Sequence, residues 1–307
     1  MNDKDKYGKW CDEDPSVPLF LCPVWMNAVC GDDWSVLLFD TDRGRAAYLY
    51  TLRRKYGLTL LLNPQLTPYQ GFWMFCGDES FETDCRKQIA GFIAAQHCDV
   101  MEQTFAPTTA GLGSCLFDEV RRRTYRLENI RDLQAVWRNM AAPKQRQVKK
   151  GERAGLKLRT DLSVSEFYDL LGQDHGKMWY GCELLAKIIA GLPSNTLLWA
   201  AENADNQVIS ATLIVYDNHT AYYLAYATHP QWRSSGASAW LVWRVLQYLA
   251  TETTVRCFDF EGSMDEKIAF SYRHFGAVET PFAEIHRYSP FGKIGRGIKA
   301  LKQKWVW

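Results

Sequence analysis

Two carboxylates close an apolar run at Cys257-Phe258-Asp259-Phe260-Glu261. If the run is a strand, its side chains alternate, so Cys257, Asp259 and Glu261 share one face and Phe258 and Phe260 the other. A carboxylate at the end of such a strand can take a proton from an amine, directly or through water, and so make it a nucleophile. The same residue types also allow a quieter role, capping the following helix or pairing with Arg273. Asp259 is read that way; Glu261 stays open to both. Upstream stands Arg233-Ser234-Ser235-Gly236-Ala237-Ser238, between a predicted strand and a predicted long helix. Glycine there lets the backbone approach a phosphate, and free N–H groups at the positive helix end accept an anion. An ordinary Ser/Gly turn capping the helix would read alike. The six histidines form no ligand spacing and no Gly-x-Ser-x-Gly occurs, so neither a metal nor a serine nucleophile is expected.

These groups act together only if the surrounding elements carry them to one place. After residue 156 the pattern is clear. A strand at 156–159 precedes a helix at 163–171, with Ser163 or Ser165 as N-cap and Glu166 close behind. A helix at 183–190 ends at Gly191-Leu192-Pro193. Strands at 196–201, 208–216 and 221–227 follow, joined by Asn203-Ala204-Asp205-Asn206 and Asp217-Asn218-His219, which suit hairpins. The long helix spans 237–251. A strand at 255–260, a helix at 265–275 and a strand at 282–285 complete the order β-α-α-β-β-β-α-β-α-β. The preceding chain reads as mixed α/β. It offers strands at 34–39, 46–52, 58–62, 99–105 and 121–127, a helix at 85–96, and loops at 64–71 and 107–114. Short helices then centre on Val136 and run from Pro143 to about Gly155.

That order, with the loop at residues 233–238, resembles the GNAT acyltransferase fold. GNAT enzymes carry an Arg/Gln-x-x-Gly-x-Gly/Ala loop at this place, and here Ser238 holds the last position. The block Phe258-Asp-Phe-Glu-Gly-Ser-Met264, followed by Tyr272-Arg-His-Phe-Gly276, is similar to the Fem-type aminoacyltransferases, as is Ser235 to Trp243. The resemblance covers most of residues 140–290 and is weaker before them, in 64–71 and Thr124-Tyr125. It implies a mixed α/β (α+β) fold of two tandem GNAT-like lobes. Residues 1–140 would be a degenerate copy without a phosphate loop, 141–290 the acyltransferase lobe and 291–307 a tail. It further implies that residues 233–238 bind the donor's pyrophosphate and that Glu261 borders a gap between two strands. Tyr272, four residues before Gly276, would protonate the departing group, although an aromatic on a core-facing helix would sit there equally well. The co-substrate implied is acyl-CoA or aminoacyl-tRNA, with no permanently bound cofactor.

Charge narrows the partners. Net charge is only +1, but between Lys144 and Arg159 seven basic residues face one acidic residue, Glu152. Arg146, Lys149, Lys150 and Arg153 recur at i, i+3, i+4, i+7, so a helix would align them as a cationic stripe for tRNA phosphates or a lipid diphosphate, unless it is simply a solvated face. Gly151 within the stripe works against that helix. The tail repeats Phe291, Ile294, Ile298, Leu301 and Trp305 between basic residues, a pattern that suits an anionic membrane surface or packing on the first lobe. Nine scattered cysteines, no apolar leader and no run of 18 apolar residues make the expectation cytoplasmic, with peripheral contact at the inner membrane face left open.

Three functions compete. A Fem-like enzyme would move an aminoacyl or acyl group to an amine of a cell-envelope precursor, small or lipid-linked; a coiled-coil hairpin of the kind some members use with tRNA is missing from the pattern. An acyl-CoA-dependent N-acyltransferase on a small amine suits the 233–238 loop. A catalytically silent GNAT-fold binding protein would use Glu261 and Tyr272 for packing only.

Overall fold

The computed structural model describes residues 2–107, 109, 111–113, 116–262 and 264–294. Residues 295–307, most of the predicted basic tail, lie outside the described residues. Phe291 and Ile294 at its start are exposed. The chain forms two compact units, one from residues up to Arg122 with those from Pro281 onward, the other Arg123–Thr280.

The first unit opens with α1 (Asp3–Glu13) and α2 (Pro23–Cys30). Helix α1 escapes the sequence pattern because its charges mask two apolar anchors, Tyr7 and Trp10, three apart and buried. Asn2 and Asp5 close a capping box at its start. Strands β1 (Ser35–Thr41), β2 (Gly44–Tyr50), β3 (Leu52–Lys55), β4 (Leu58–Leu62) and β5 (Phe72–Cys76) follow, then α3 (Glu79–Ala95), β6 (Val100–Thr104) and β7 (Asp118–Leu127). The charged, exposed β3 and the loop-bounded β5 escape the sequence pattern. Within this unit β1-β2-β5 form one antiparallel sheet. Strand β3 pairs antiparallel with β4, and β4 pairs parallel with β6. The core gathers Tyr48, Leu61, Phe81, Ile89, Ile93 and Met101.

The second unit contains α4 (Leu133–Asn139), α5 (Ala142–Arg153), β8 (Lys157–Arg159), α6 (Val164–His175), α7 (Cys182–Gly191), β9 (Thr196–Glu202), β10 (Val208–Tyr216) and β11 (Thr220–Thr228). Then come α8 (Ala237–Glu252), β12 (Cys257–Asp259) and α9 (Glu266–Arg273). The last strand, β13 (Val278–Tyr288), starts here and supplies residues 284–288 to the first unit, antiparallel to β6. Val136, Met140 and Val148, from α4 and the helix after it, join the same core as Trp240 of α8. The division read near residue 140 therefore falls inside this packing.

Local chemistry explains the predicted elements. Ser163 and Glu166 form the expected capping box on α6. Asn203 Oδ1 accepts from the N–H groups of Asp205 and Gln207, and Asp217 Oδ1 from those of His219 and Thr220, which sets both hairpins. Helix α8 buries Trp240, Leu241, Val245, Leu246 and Leu249, at about 1.5–3 kcal/mol for each large apolar side chain. The sheet runs β12-β11-β10-β9-β8, with the end of β7 beside β12. Every pairing is antiparallel except β11 with β12, which the α8 crossover makes parallel. Among the described residues no helix is long and apolar enough to cross a membrane.

Candidate active site

Strands β11 and β12 pair only over Thr220–Tyr222 and Cys257–Asp259. Beyond Tyr222, β11 continues to Thr228 without β12, so the sheet splits. On β11 the register with β10 slips, leaving Leu224 as an extra residue between Tyr223 and Ala225. Such a bulge re-aims the side chains beyond it. Tyr223 and Tyr226, which a regular strand would place on opposite faces, stack with ring centroids 4.9 Å apart. Thr228 sends its N–H to Asp174 Oδ2 at 2.7 Å, and His175 Nε2 donates to the Tyr226 carbonyl at 2.8 Å. Both residues thus turn their backbone groups away from β10. Because N–H and C=O of one residue point the same way in an antiparallel ladder, the Tyr226 N–H faces the open side too.

Strand β12 stops where the chain turns left-handed. Glu261 has φ 58° and Gly262 has φ 70°, and a Cβ on Gly262 would stand 2.3 Å from the Arg123 carbonyl oxygen. The alternation that placed Glu261 on the Asp259 face therefore ends before it. Asp259 is 1% exposed and holds the turn, accepting from the Thr124 hydroxyl and, at 2.8 Å, from the Glu261 N–H. Neither carboxylate caps α9, whose N-cap is Asp265, and Arg273 pairs with Glu266 instead. Glu261 Oε1 is buried without a hydrogen-bond partner. Burial, and then the Asp259 charge, raises its carboxyl well above the usual range. A non-glycine residue in the left-handed region, with a buried unsatisfied carboxyl, is strain of the kind that gathers at functional sites.

Helix α8 starts at Gly236, φ 88°, with no side-chain cap. Only glycine fits, because a Cβ there would stand 2.3 Å from the Gln147 carbonyl oxygen of α5. Close approach of a protein helix thus adds to the reason the sequence suggested. Arg233 is committed to Asp174 at 2.6 Å, Lys150 Nζ donates to the Ser234 carbonyl at 2.6 Å, and Ser235 Oγ binds Trp232 O and the Ala237 N–H. No hydrogen bond ties the N–H of Ser238 or Ala239 to another described residue. The same holds for the N–H groups of Arg233, Ser234 and Gly236, so several amides of the predicted loop, with Ala239 just beyond it, remain for an anion at the start of the helix.

A cavity of about 210 Å³ lies between α8, β11 and α9, lined by Tyr223, Tyr226, Ser238, Phe260, Lys267 and Tyr272 among others. It brings Ser238 of the loop and Tyr272 together. Tyr272 stacks on Phe260 with centroids 4.6 Å apart; burial, and then the neighbouring tyrosines, raise its phenol well above the ordinary value. The Glu261 charge contributes to that rise and to that of Tyr180, pushed by burial to about 12. Glu261 itself is not among the residues that line this cavity. The predicted stripe is real as geometry. Arg146, Lys149, Lys150 and Arg153 are all exposed on α5, none paired with a described carboxylate, and Lys149 lies 5.7 Å over the Trp137 ring. Gly151 does not break α5; it lets Trp240 pack close. Sequence reasoning missed Tyr223, Tyr226 and Lys144. Among the described residues no three His, Cys, Asp or Glu side chains gather to hold a metal ion.

A sheet that opens after one parallel step, with an uncapped crossover helix at the opening, is the architecture of a GNAT-type fold. Residues 117–267 match the model of the acetyltransferase (GNAT) domain, so the chain carries a domain of that family and is a transferase enzyme. Its fold is similar to that of FemX over 92% of this chain and 96% of that one, with TM-score 0.66 and 11% identity. The C-terminal DUF2156 domain assigned to a lysylphosphatidylglycerol synthetase of Agrobacterium fabrum aligns over 95% of both chains, with TM-score 0.59 and 11% identity. L-PGS from Bacillus licheniformis aligns over 93% of this chain and 92% of that one, at 0.54 and 10%. No curated protein sequence matches the chain.

Proposed function

We infer that the chain moves an aminoacyl or related acyl group from a nucleotide-bearing donor to an amine of a cell-envelope precursor, in the manner of a Fem-type enzyme. The observation that carries this reading is the split between β11 and β12, flanked by the free amides of Ser238 and Ala239 and by the buried carboxyl of Glu261. The α8 amides would hold a donor phosphate. The Tyr226 N–H, facing the open side, would stabilise the tetrahedral oxyanion. Glu261 would take the amine proton, and Tyr272 would return one to the leaving group.

Two features favour an aminoacyl donor. The likeness to FemX and L-PGS spans both units rather than the acetyltransferase domain alone. The stripe on α5 runs beside the loop, with Lys150 bonded to it, and has no carboxylate partner among the described residues. Each unit also has an antiparallel strand pair followed by a parallel neighbour, β3-β4-β6 and β10-β11-β12. We read the first as a degenerate copy, because Asp78 fills the start of α3 by accepting from Phe81 N–H, where α8 is left open. The matched acetyltransferase model supports a second reading, an acyl-CoA donor and a small amine.

Salt dependence separates them. If the four stripe residues contact tRNA phosphates, log K should fall with log salt at a slope of about −3 to −4, while coenzyme A leaves the melting temperature unchanged. A coenzyme A shift without tRNA binding selects the second reading. Neither response leaves a silent binding protein.

A further inference from the structure

Lys144 is a cation in an unfavourable place. It is 7% exposed and occupies the first turn of α5, where the helix end is already positive. Burying a charge without a counter-charge costs free energy, yet the ammonium has no carboxylate partner among the described residues. Its contacts are the Ser271 hydroxyl, 2.9 Å away, and the face of Phe275, 4.5 Å to the ring centroid. Both Ser271 and Phe275 line the cavity that also holds Ser238 and Lys267. The other basic residues of α5 point to solvent; Lys144 alone shares the buried face with Val148 and Gly151. Packing does not need an ammonium here, since a methionine would fill the same space without the charge.

We propose that Lys144, which lies behind the cavity wall and acts through Ser271, helps hold a phosphate group of the acyl donor in this cavity and so selects phosphate-bearing donors. This rests on the reading of the cavity as the donor site and adds a determinant outside the 233–238 loop. The phosphate supplies the missing counter-charge, and Ser271 bridges it to the ammonium. Burial pushes the Lys144 ammonium down to about 8, the direction expected of a buried cation awaiting an anion.

The test uses the full chain, wild type and Lys144→Met, titrated calorimetrically with coenzyme A and its phosphate-free fragment pantetheine, and with cytidylyl-cytidylyl-adenosine and adenosine. Wild type should bind coenzyme A or the trinucleotide at least about 10-fold tighter than the phosphate-free counterpart. Lys144→Met should lose most of that preference, leave the phosphate-free Kd unchanged and melt no lower than wild type. Which probe shows the preference tells a coenzyme donor from a tRNA end. If Lys144→Met keeps the preference, the assignment is wrong and the cavity reading stands. If wild type binds neither probe, both fall. Should the methionine variant not fold, Lys144→Gln, which retains a donor to Ser271, takes its place under the same criteria.

Discussion

Glu261→Gln should lower kcat/KM by about 100- to 10,000-fold, the range over which a positioned proton acceptor acts, and should raise the melting temperature at neutral pH. Both effects come from one environment. The carboxyl is buried, its Oε1 has no partner, and Asp259 adds a like charge nearby. Its folded pKa is raised, so its stabilising contribution is complete below the ordinary carboxylate value. That contribution is lost as pH rises toward the folded pKa. Glutamine mimics the protonated acid and escapes the loss. Its stability advantage should therefore appear only above about pH 4.5, the onset of carboxylate ionisation. A gain of about 2–4 °C corresponds to 1 kcal/mol in a domain of this size. Activity of the wild type should climb along a single limb lying well above pH 4.5, because the acceptor must be ionised. Paired melting and rate profiles against pH test both. Unchanged turnover, or a loss of stability at neutral pH, would return Glu261 to a purely structural role.

Ser238→Asp should weaken donor binding by about 10- to 100-fold, equivalent to one charge-assisted hydrogen bond of about 1.5–3 kcal/mol. The helix itself should be unharmed or slightly stabilised, since a carboxylate favours the first turn. Ser238 lines the cavity and its N–H is uncommitted, so the introduced carboxylate would occupy the place of the donor's anion. A phosphate-free donor fragment should bind nearly as before. Calorimetry with each ligand, alongside a melting curve, distinguishes this from unfolding. Equal weakening of charged and uncharged ligands would show that the amides do not read charge.

Much of the second unit was legible because its signals are local. Ser163 and Glu166 cap α6 as the pattern predicted, and the turns at Asn203 and Asp217 set strands β9 to β11 within a residue or two. The site was only half legible. The loop at 233–238 and Glu261 stand out by type, but the bulge at Leu224 depends on register between strands, which periodicity within one strand does not reveal. Lys144 was one of seven basic residues in its stretch. Its distinguishing sign is that it lies four residues before Val148, off the stripe of Arg146 and Lys149. In the first unit, α1 hides two buried aromatics among acids and lysines. The return of β13 residues 284–288 to β6 is a long-range pairing that no short window encodes.

The central claim is that one open strand and one uncapped helix receive the donor together. Residue-resolved amide hydrogen exchange of the full chain, with saturating coenzyme A and separately with aminoacyl-tRNA, tests it most directly. One of the two donors should slow exchange at Tyr226, Ser238 and Ala239 in concert. A donor that binds while leaving those three amides as they were would contradict the account.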